Sequence, residues 1–359
     1  MSCWPTFPGN PTDESAQTGR GPGNRKGNRQ GQRGIALILA VVSVFLLTVA
    51  VLQTRAGVNL AEEIAISTAR EMQALYMARS GLAIVREALA EDDPQVDSYQ
   101  DDWAAANEIG AVPIAEVGWA IGKVSDEEGK FNVLDLVTKD RESDENSEFA
   151  AQRLYYMLQD IGIFDSRAEE IVDSLIDWMD DDDTITGSGA EDLYYASLDN
   201  PYSCPNEFPS SKDDLSLVKG IGPVLLYQGE GEVPPLVDFI TIYGDRTGDF
   251  RKININTAPV EVIMSLSPDM NLQLAEEIIA SRDAEPFNSP SEIKDVPGFP
   301  DEMYNEDLGD GIKLADLIDV SSDHFSARII GETTGASSKV YGVFERKGES
   351  VKLVYYRGF

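Results

Sequence analysis

Between Arg167 and Lys212 the chain carries no basic residue and twelve acidic ones: Glu169, Glu170, Asp173, Asp177, Asp180, Asp181, Asp182, Asp183, Glu191, Asp192, Asp199 and Glu207. Four consecutive aspartates repel one another unless solvent, salt or a cation screens them. Counted from Asp180, positions 1, 3, 5, 7 and 12 are Asp180, Asp182, Thr184, Thr186 and Glu191, the ligand spacing of an EF-hand loop. The sixth position is Ile185, where that loop needs glycine for its turn, and Gly187 and Gly189 come later. The expectation is an oxygen-rich site for one or two Ca²⁺ ions without EF-hand geometry. Its candidate ligands are Asp177, Asp180, Asp182, Asp183, Glu191 and Asp192. Oxygen donors alone disfavour Zn²⁺ and Cu²⁺, and a flexible loop suits Ca²⁺ better than octahedral Mg²⁺. The competing reading is a solvated acidic loop. No catalytic constellation accompanies these acids: there is no Ser/His/Asp set, phosphate loop or Cys/His metal spacing, and nothing singles out an acid–base pair among 63 acidic residues.

A loop of this kind needs a frame, and helical signals dominate from about Asn146 to Val320. The frame contains an internal echo. Asn132-Val133-Leu134-Asp135 recurs as Asn254-Ile255-Asn256-Thr257, and Ala168-Glu169-Glu170-Ile171-Val172 as Ala275-Glu276-Glu277-Ile278-Ile279. Leu215-Ser216-Leu217-Val218-Lys219-Gly220 recurs as Ile293-Lys294-Asp295-Val296-Pro297-Gly298. The separations shrink from 122 to 107 to 78, so the first copy holds extra residues at about 181–210, the acidic stretch itself. Ser289-Pro290-Ser291-Glu292 is a capping box with Pro at the first helical position. Ser211-Lys212-Asp213-Asp214 is its counterpart, and Thr257-Ala258-Pro259 suits a helix entry. Turns near Gly220-Ile221-Gly222 and Gly298-Phe299-Pro300 look like helix-hairpin-helix units, which can hold a DNA phosphate through backbone amides. The second copy loses an amide at Pro300 and both lie in acidic surroundings, so structural use is favoured.

Strand chemistry flanks this insert. Residues 116–125 precede it and an Asp126-Glu127-Glu128-Gly129 turn follows them; residues 95–112 read as a loop. Residues 327–332, 339–346 and 351–357 come after the insert, separated by turns containing Gly335 and Gly348. One antiparallel sheet is therefore split by an insertion of helices. Ahead of everything, residues 35–52 are uncharged and mostly apolar, long enough to cross a bilayer as one helix. The helix continues amphipathically through Ile64, Met72, Leu75, Tyr76, Leu82, Val85 and Leu89 until Glu91-Asp92-Asp93-Pro94. The basic stretch Arg25-Lys26-Gly27-Asn28-Arg29-Gln30-Gly31-Gln32-Arg33 orients the N-terminus to the cytoplasm.

The net charge is −34, and −37 without residues 1–34, a surface that repels nucleic acid and favours cations or basic partner faces. Cys3 lies in the leader and leaves Cys204 without an intrachain partner once the leader is removed, so stability must come from packing or bound metal. His324, the chain's one histidine, reads as a surface or core residue rather than a ligand.

A basic segment, Gly34 and an unbroken apolar helix resemble the class III signal of type IV pilin-like proteins. The resemblance implies cleavage between Gly34 and Ile35 by prepilin peptidase and N-methylation of Ile35. Most such subunits carry Glu at the fifth mature position, where its carboxylate offsets a neighbouring ammonium in an apolar filament core. This chain has Leu39 there. The minor pseudopilin K family of type II secretion lacks that Glu as a rule. Asp177-Trp178-Met179-Asp180, Gly189-Ala190-Glu191-Asp192-Leu193-Tyr194-Tyr195, the Ile255-Asn256-Thr257-Ala258 segment, Phe287-Asn288-Ser289 and the two echo elements resemble its helical insert, in order, over residues 34–359. The leader is longer than usual, and Cys204 sits in the loop after the tyrosine pair.

The expected fold is α+β: a pilin-like long N-terminal helix and small antiparallel sheet, interrupted by a large mainly helical insert with helix-hairpin-helix-like repeats. Its segments are a leader 1–34, a helix 35–90 with 35–52 transmembrane, first strands within 91–135, an insert 136–325 containing the acidic loop 177–207, and last strands 326–359. The resemblance implies a subunit at the tip of the periplasmic pseudopilus, anchored once in the inner membrane with its head in the periplasm, and a Ca²⁺-binding insert. It also implies I-like and J-like minor pseudopilins, other secretion components and secreted proteins as partners, and no nucleic acid or enzymatic activity. The rival readings are a membrane-anchored DNA receptor using the hairpins and a secreted calcium-binding protein.

Overall fold

The computed structural model describes residues 29–109, 111–114, 117–245, 250–309 and 311–359. Residues 1–28 of the expected leader, with Arg25 and Lys26, lie outside them. The chain forms two compact units, 1–65 and 66–359. Helix α1 (Arg29–Glu91) starts ahead of Gly34 rather than after it. Gly34, Gly57 and Gly81 all lie inside it, since good helix formers on either side carry the helix through an isolated glycine. In the first unit its apolar residues from Ile35 to Leu52 are exposed apart from the half-buried Val49, and the helix is long and apolar enough to cross a membrane.

In the second unit α1 packs on a sheet. Residues 95–112, expected as a loop, instead contain α2 (Asp102–Ile109) and the start of β1 (Ala111–Ile114). The sequence offered α2 few large apolar anchors, and Trp103 and Ala104 are buried in a core shared with Phe325. Strand β2 (Gly118–Asp126) follows, then β3 (Phe131–Asn132). The helical insert begins with α3 (Glu145–Asp160), α4 (Asp165–Met179) and α5 (Asp192–Tyr195), then a 3-10 helix at Lys212–Leu217, α6 (Gly222–Tyr227) and β4 (Ile240–Thr241). Its second part holds β5 (Ile253–Asn254), α7 (Val260–Met264), α8 (Leu272–Ala284), a 3-10 helix at Pro290–Asp295, α9 (Leu314–Leu317) and β6 (Ile318–Asp319). Strands β7 (His324–Thr333), β8 (Ala336–Lys347) and β9 (Ser350–Gly358) then complete an antiparallel five-stranded sheet in the order β1-β2-β7-β8-β9.

Helix and sheet meet through small residues. A Cβ on Gly331 would run into the backbone of Ala74 and Ala78, and one on Gly81 would come within 2.6 Å of Ile329. Ala78, Leu82, Val85 and Leu89 fill the seam against Val124, Ala327 and Phe344.

The echo read in the sequence is a structural duplication. Each copy opens and closes on a two-residue parallel strand pair, β3 with β4 and β5 with β6. Asn132 and Asn254 each accept the amide two residues on, from Leu134 and Asn256. Ala168 and Ile171 of α4, and Ala275 and Ile278 of α8, are fully buried, because both helices turn the same stripe inward. The 3-10 helices also match: Ser210 donates its amide to Asp214 as Asn288 does to Glu292. Gly220 and Gly298 close them at φ +86° and +83°, the left-handed region where only glycine is unstrained. Both copies share one core, which also takes in Phe131 and Val133, ahead of the boundary expected at residue 135.

Candidate metal centre in the acidic loop

The extra residues of the first copy, 180–210, leave the end of α4 and return to the 3-10 helix. An aromatic group holds their base: the rings of Trp178 and Tyr195 meet edge to face at 5.3 Å, and Tyr195 stacks on Tyr202 at 5.2 Å. Tyr195 is fully buried. The Thr186–Gly189 turn is drawn back onto α4, where Asp177 accepts the Thr186 amide at 2.9 Å and Asp173 accepts the Ser188 amide at 2.7 Å. Lys219 clamps it from the other side through the Ser188 and Gly189 carbonyls. Gly189 needs to be glycine because a Cβ there would strike the Asp177 carboxylate.

This folding brings three of the six expected ligands together. Carboxylate oxygens of Asp177, Asp180 and Glu191 lie within 4.8 Å of one another, and all three residues are buried. Oδ2 of Asp177, Oδ1 of Asp180 and both oxygens of Glu191 are shielded from solvent and have no well-formed hydrogen bond, with only the weak thiol donor of Cys204 beside Glu191. Burial, compounded by the neighbouring carboxylates, pushes Asp180 and Glu191 up to about 7, and raises Asp177 as well. Three buried carboxylates brought together with oxygens so poorly satisfied are costly as they stand. They form an all-oxygen donor set that a hard dication fits.

The other three expected ligands are exposed and engaged elsewhere. Asp182 accepts the Thr184 amide, Asp183 the Asn206 side-chain amide, and Asp192 the Cys204 amide at 2.6 Å. The EF-hand count from Asp180 therefore does not describe the loop: Asp177, three residues before that count begins, faces Glu191 at its end. Two residues outside the expected ligand set complete the surroundings. Asn206, at φ +44°, donates to the Asp182 carbonyl and keeps its own Oδ1 buried without a partner. Arg141 pairs with Asp181 and with the Asn206 carbonyl, bringing a cation to the outer side of the aspartate run. A left-handed asparagine is legible in sequence only as a general tendency. Cys204 lies beside the cluster, its Sγ 3.5 Å from the Asp177 carbonyl, and burial pushes the thiol up to about 12. It is a packing residue with no thiolate character.

Gly34, Ile35 and Leu39 all lie in the exposed apolar part of α1. Around the hairpin turns, Lys219 is paired with Glu170, and no basic face accompanies either turn among the described residues.

Comparison with known proteins agrees with this architecture. The family described as type II secretion system (T2SS), protein K, matches residues 129–228 and again 253–313, one match over most of each copy of the insert. Type II secretion system protein K of Aeromonas hydrophila is 27% identical over 342 residues, covering 92% of this chain and 96% of that one. The chain belongs to the type II secretion system protein K family. The Pseudomonas aeruginosa protein K is 25% identical, over 74% of this chain and 77% of its own length. Among solved structures, the GspK-GspI-GspJ complex from enterotoxigenic Escherichia coli contains a chain with the same fold: TM-score 0.63 and 19% identity, over 82% of this chain and 99% of that one. The family and its α+β, pilin-like fold make this chain a minor pseudopilin of type II secretion, and neither rival reading finds support.

Proposed function

We propose that this minor pseudopilin caps the tip of the periplasmic pseudopilus, in a complex with I-like and J-like subunits, and supports protein export across the outer membrane. The observation that carries the reading is Leu39 in an exposed, otherwise unbroken apolar helix. A subunit with another stacked above it would need a carboxylate there to offset the incoming ammonium; a subunit at the end of the filament does not. The structurally similar Escherichia coli chain belongs to a GspK-GspI-GspJ complex, which supports the choice of partners. In this reading prepilin peptidase cuts between Gly34 and Ile35 and methylates Ile35, and the helix anchors the chain once in the inner membrane with the head in the periplasm. Mass spectrometry of the native N-terminus tests the processing step: methylated Ile35 is expected, and a start beyond Leu47 would sink it. Co-purification with the I-like and J-like subunits of the same system tests the assembly, which fails if no stoichiometric complex forms.

The acidic loop belongs to the same proposal as a Ca²⁺ site, with one or two ions. Asp177, Asp180 and Glu191 would hold the ion, and Asp182, Asp183 and Asp192 would supply charge from the rim. The ion's contribution is to neutralise carboxylates that the fold has already buried together, so its binding becomes folding free energy for the loop. Calorimetric titration of chelator-treated protein with Ca²⁺ tests this, and loss of heat in Asp180→Asn and Glu191→Gln is the expected result.

A further inference from the structure

A second convergence of ligand-type side chains lies away from the acidic loop, at the edge where the sheet meets the insert. His324 opens β7 and is the direct cross-strand partner of Glu345 on β8. Asp245 comes from the segment after β4. A ring nitrogen of His324 and one carboxylate oxygen each from Asp245 and Glu345 lie within 4.8 Å of one another. His324 is only 7% exposed. Its Nδ1 is 2.8 Å from Oε1 of Glu128, and its ring stacks on Tyr243 at 6.4 Å and 20°. A carboxylate on Nδ1 favours the tautomer with the proton on that nitrogen, which leaves the Nε2 lone pair as the one available to a metal; this is how metal-bound histidines are oriented. Nε2 has no hydrogen-bond partner among the described residues.

We propose that His324 Nε2, Asp245 and Glu345 form a binding site for a first-row transition-metal dication of the Zn²⁺ type, distinct from the calcium loop. One imidazole and two carboxylates are a mixed N/O set suited to such ions, whereas the all-oxygen loop suits Ca²⁺. Three protein ligands leave a coordination position for water or for a group from another subunit. The cation now beside these oxygens is Lys347, whose ammonium is 2.7 Å from Glu345 and 3.4 Å from Asp245. It is 57% exposed on a flexible stem and can swing out. Arg346 faces the other way, onto Asp92 and Asp97. Asp323 adds a further negative charge near His324. With Lys347 displaced, Glu128, Asp323, Asp245 and Glu345 leave an excess of negative charge around the ring. The bound ion would join the insert to β7 and β8.

The test uses the full chain in detergent micelles with saturating Ca²⁺, titrated with Zn²⁺ alone. Because the chain has one histidine, its imidazole nitrogen resonances report on this site without assignment. Expected are a shift of Nε2 at one equivalent of Zn²⁺ with Nδ1 still protonated, and loss of that binding in the surface variant Asp245→Asn. Lys347→Gln should tighten it, and Glu128→Gln should weaken it about tenfold. An imidazole signal indifferent to Zn²⁺, Zn²⁺ bound only through Cys204, or unchanged affinity in both Asp245→Asn and Glu345→Gln would overturn the proposal.

Discussion

In the first copy of the insert, α4 and the following 3-10 helix are joined by residues 180–211; in the second, α8 and its 3-10 helix are joined by 285–289. The frames are otherwise alike down to individual backbone amides, yet only the longer connection gathers buried carboxylates. The copies are also anchored differently. Adjacent acids of the turn after β2 divide between them. Glu127 is fully buried and accepts from Lys130 at 2.9 Å, Lys212 at 2.5 Å and Thr241 at 2.5 Å, all in or beside the first copy. Asp126 accepts from Thr257 at 2.6 Å and Asn254 at 3.0 Å in the second copy, and from Ser322 just after it. One copy is tied by charge and the other by neutral donors. A duplicated scaffold can therefore carry two chemistries when one connection and one anchor change while the packing stripe stays.

The anchors give the largest expected effect. Glu127→Gln leaves two ammonium groups buried without a counter-charge and should cost about 3–5 kcal/mol at neutral pH. Asp126→Asn turns a donor toward groups that already donate and should cost about 1–3 kcal/mol. Their pH trends should oppose each other. Burial alone would raise the Glu127 carboxyl, but Lys130 and Lys212 outweigh it and hold the group below its usual 4.5. It binds fewer protons folded than unfolded, so its contribution is complete above pH 4.5 and lost as pH falls through the lower folded value. The Glu127→Gln penalty should shrink on acidification. Burial raises Asp126 above 3.8, and the hydroxyl and amide donors offset only part of that. Its contribution grows as pH falls from the raised value toward 3.8, so the Asp126→Asn penalty should grow. Urea unfolding at neutral pH and at pH values stepped down through and below 4.5 measures both; parallel trends would break the contrast.

Chelation comes next. If the first copy alone binds calcium, removing the ion from protein held at a hundredfold excess over Kd should cost about 2.7 kcal/mol. Hydrogen exchange should rise across 180–210 and stay unchanged across 285–299. A melting temperature unmoved by chelator, or equal deprotection of both copies, removes the distinction.

The glycines sharpen it further. Alanine at either left-handed position costs about 1–2 kcal/mol. Gly220→Ala should cost more than Gly298→Ala, because its Cβ would come within 2.9 Å of Ile171 whereas the space beside Gly298 is open. The smallest effect is expected from the caps. Asp214→Ala and Glu292→Ala each remove a side chain that accepts a backbone amide ahead of the 3-10 helix, at about 1 kcal/mol at most. Thermal denaturation of the four variants ranks them, and an equal cost at Gly220 and Gly298 would mean that Ile171 yields without penalty.

Much of this frame was legible locally. The apolar run of 35–52, the amphipathic stripe through Leu82 and Leu89, the three closing strands and the echoed helices all announce themselves through spacing. Helix α2 did not, because Trp103 is fixed by Phe325, which arrives from the far end of the chain. The acidic loop was legible as an acidic loop, and its ligand set was not: counting along the chain nominated six acids, and the Thr186–Gly189 turn selected Asp177, Asp180 and Glu191 by folding back on α4.

Composition, periodicity and repetition along the chain determined a membrane-length helix, a split sheet and a doubled helical insert, because each depends on neighbours a few residues away. The tertiary structure alone decided which carboxylates lose water together, which of Asp126 and Glu127 meets an ammonium, and that the single histidine faces two acids from other elements. Burial and donor geometry are set by residues far apart in the chain, and spacing carries no record of them.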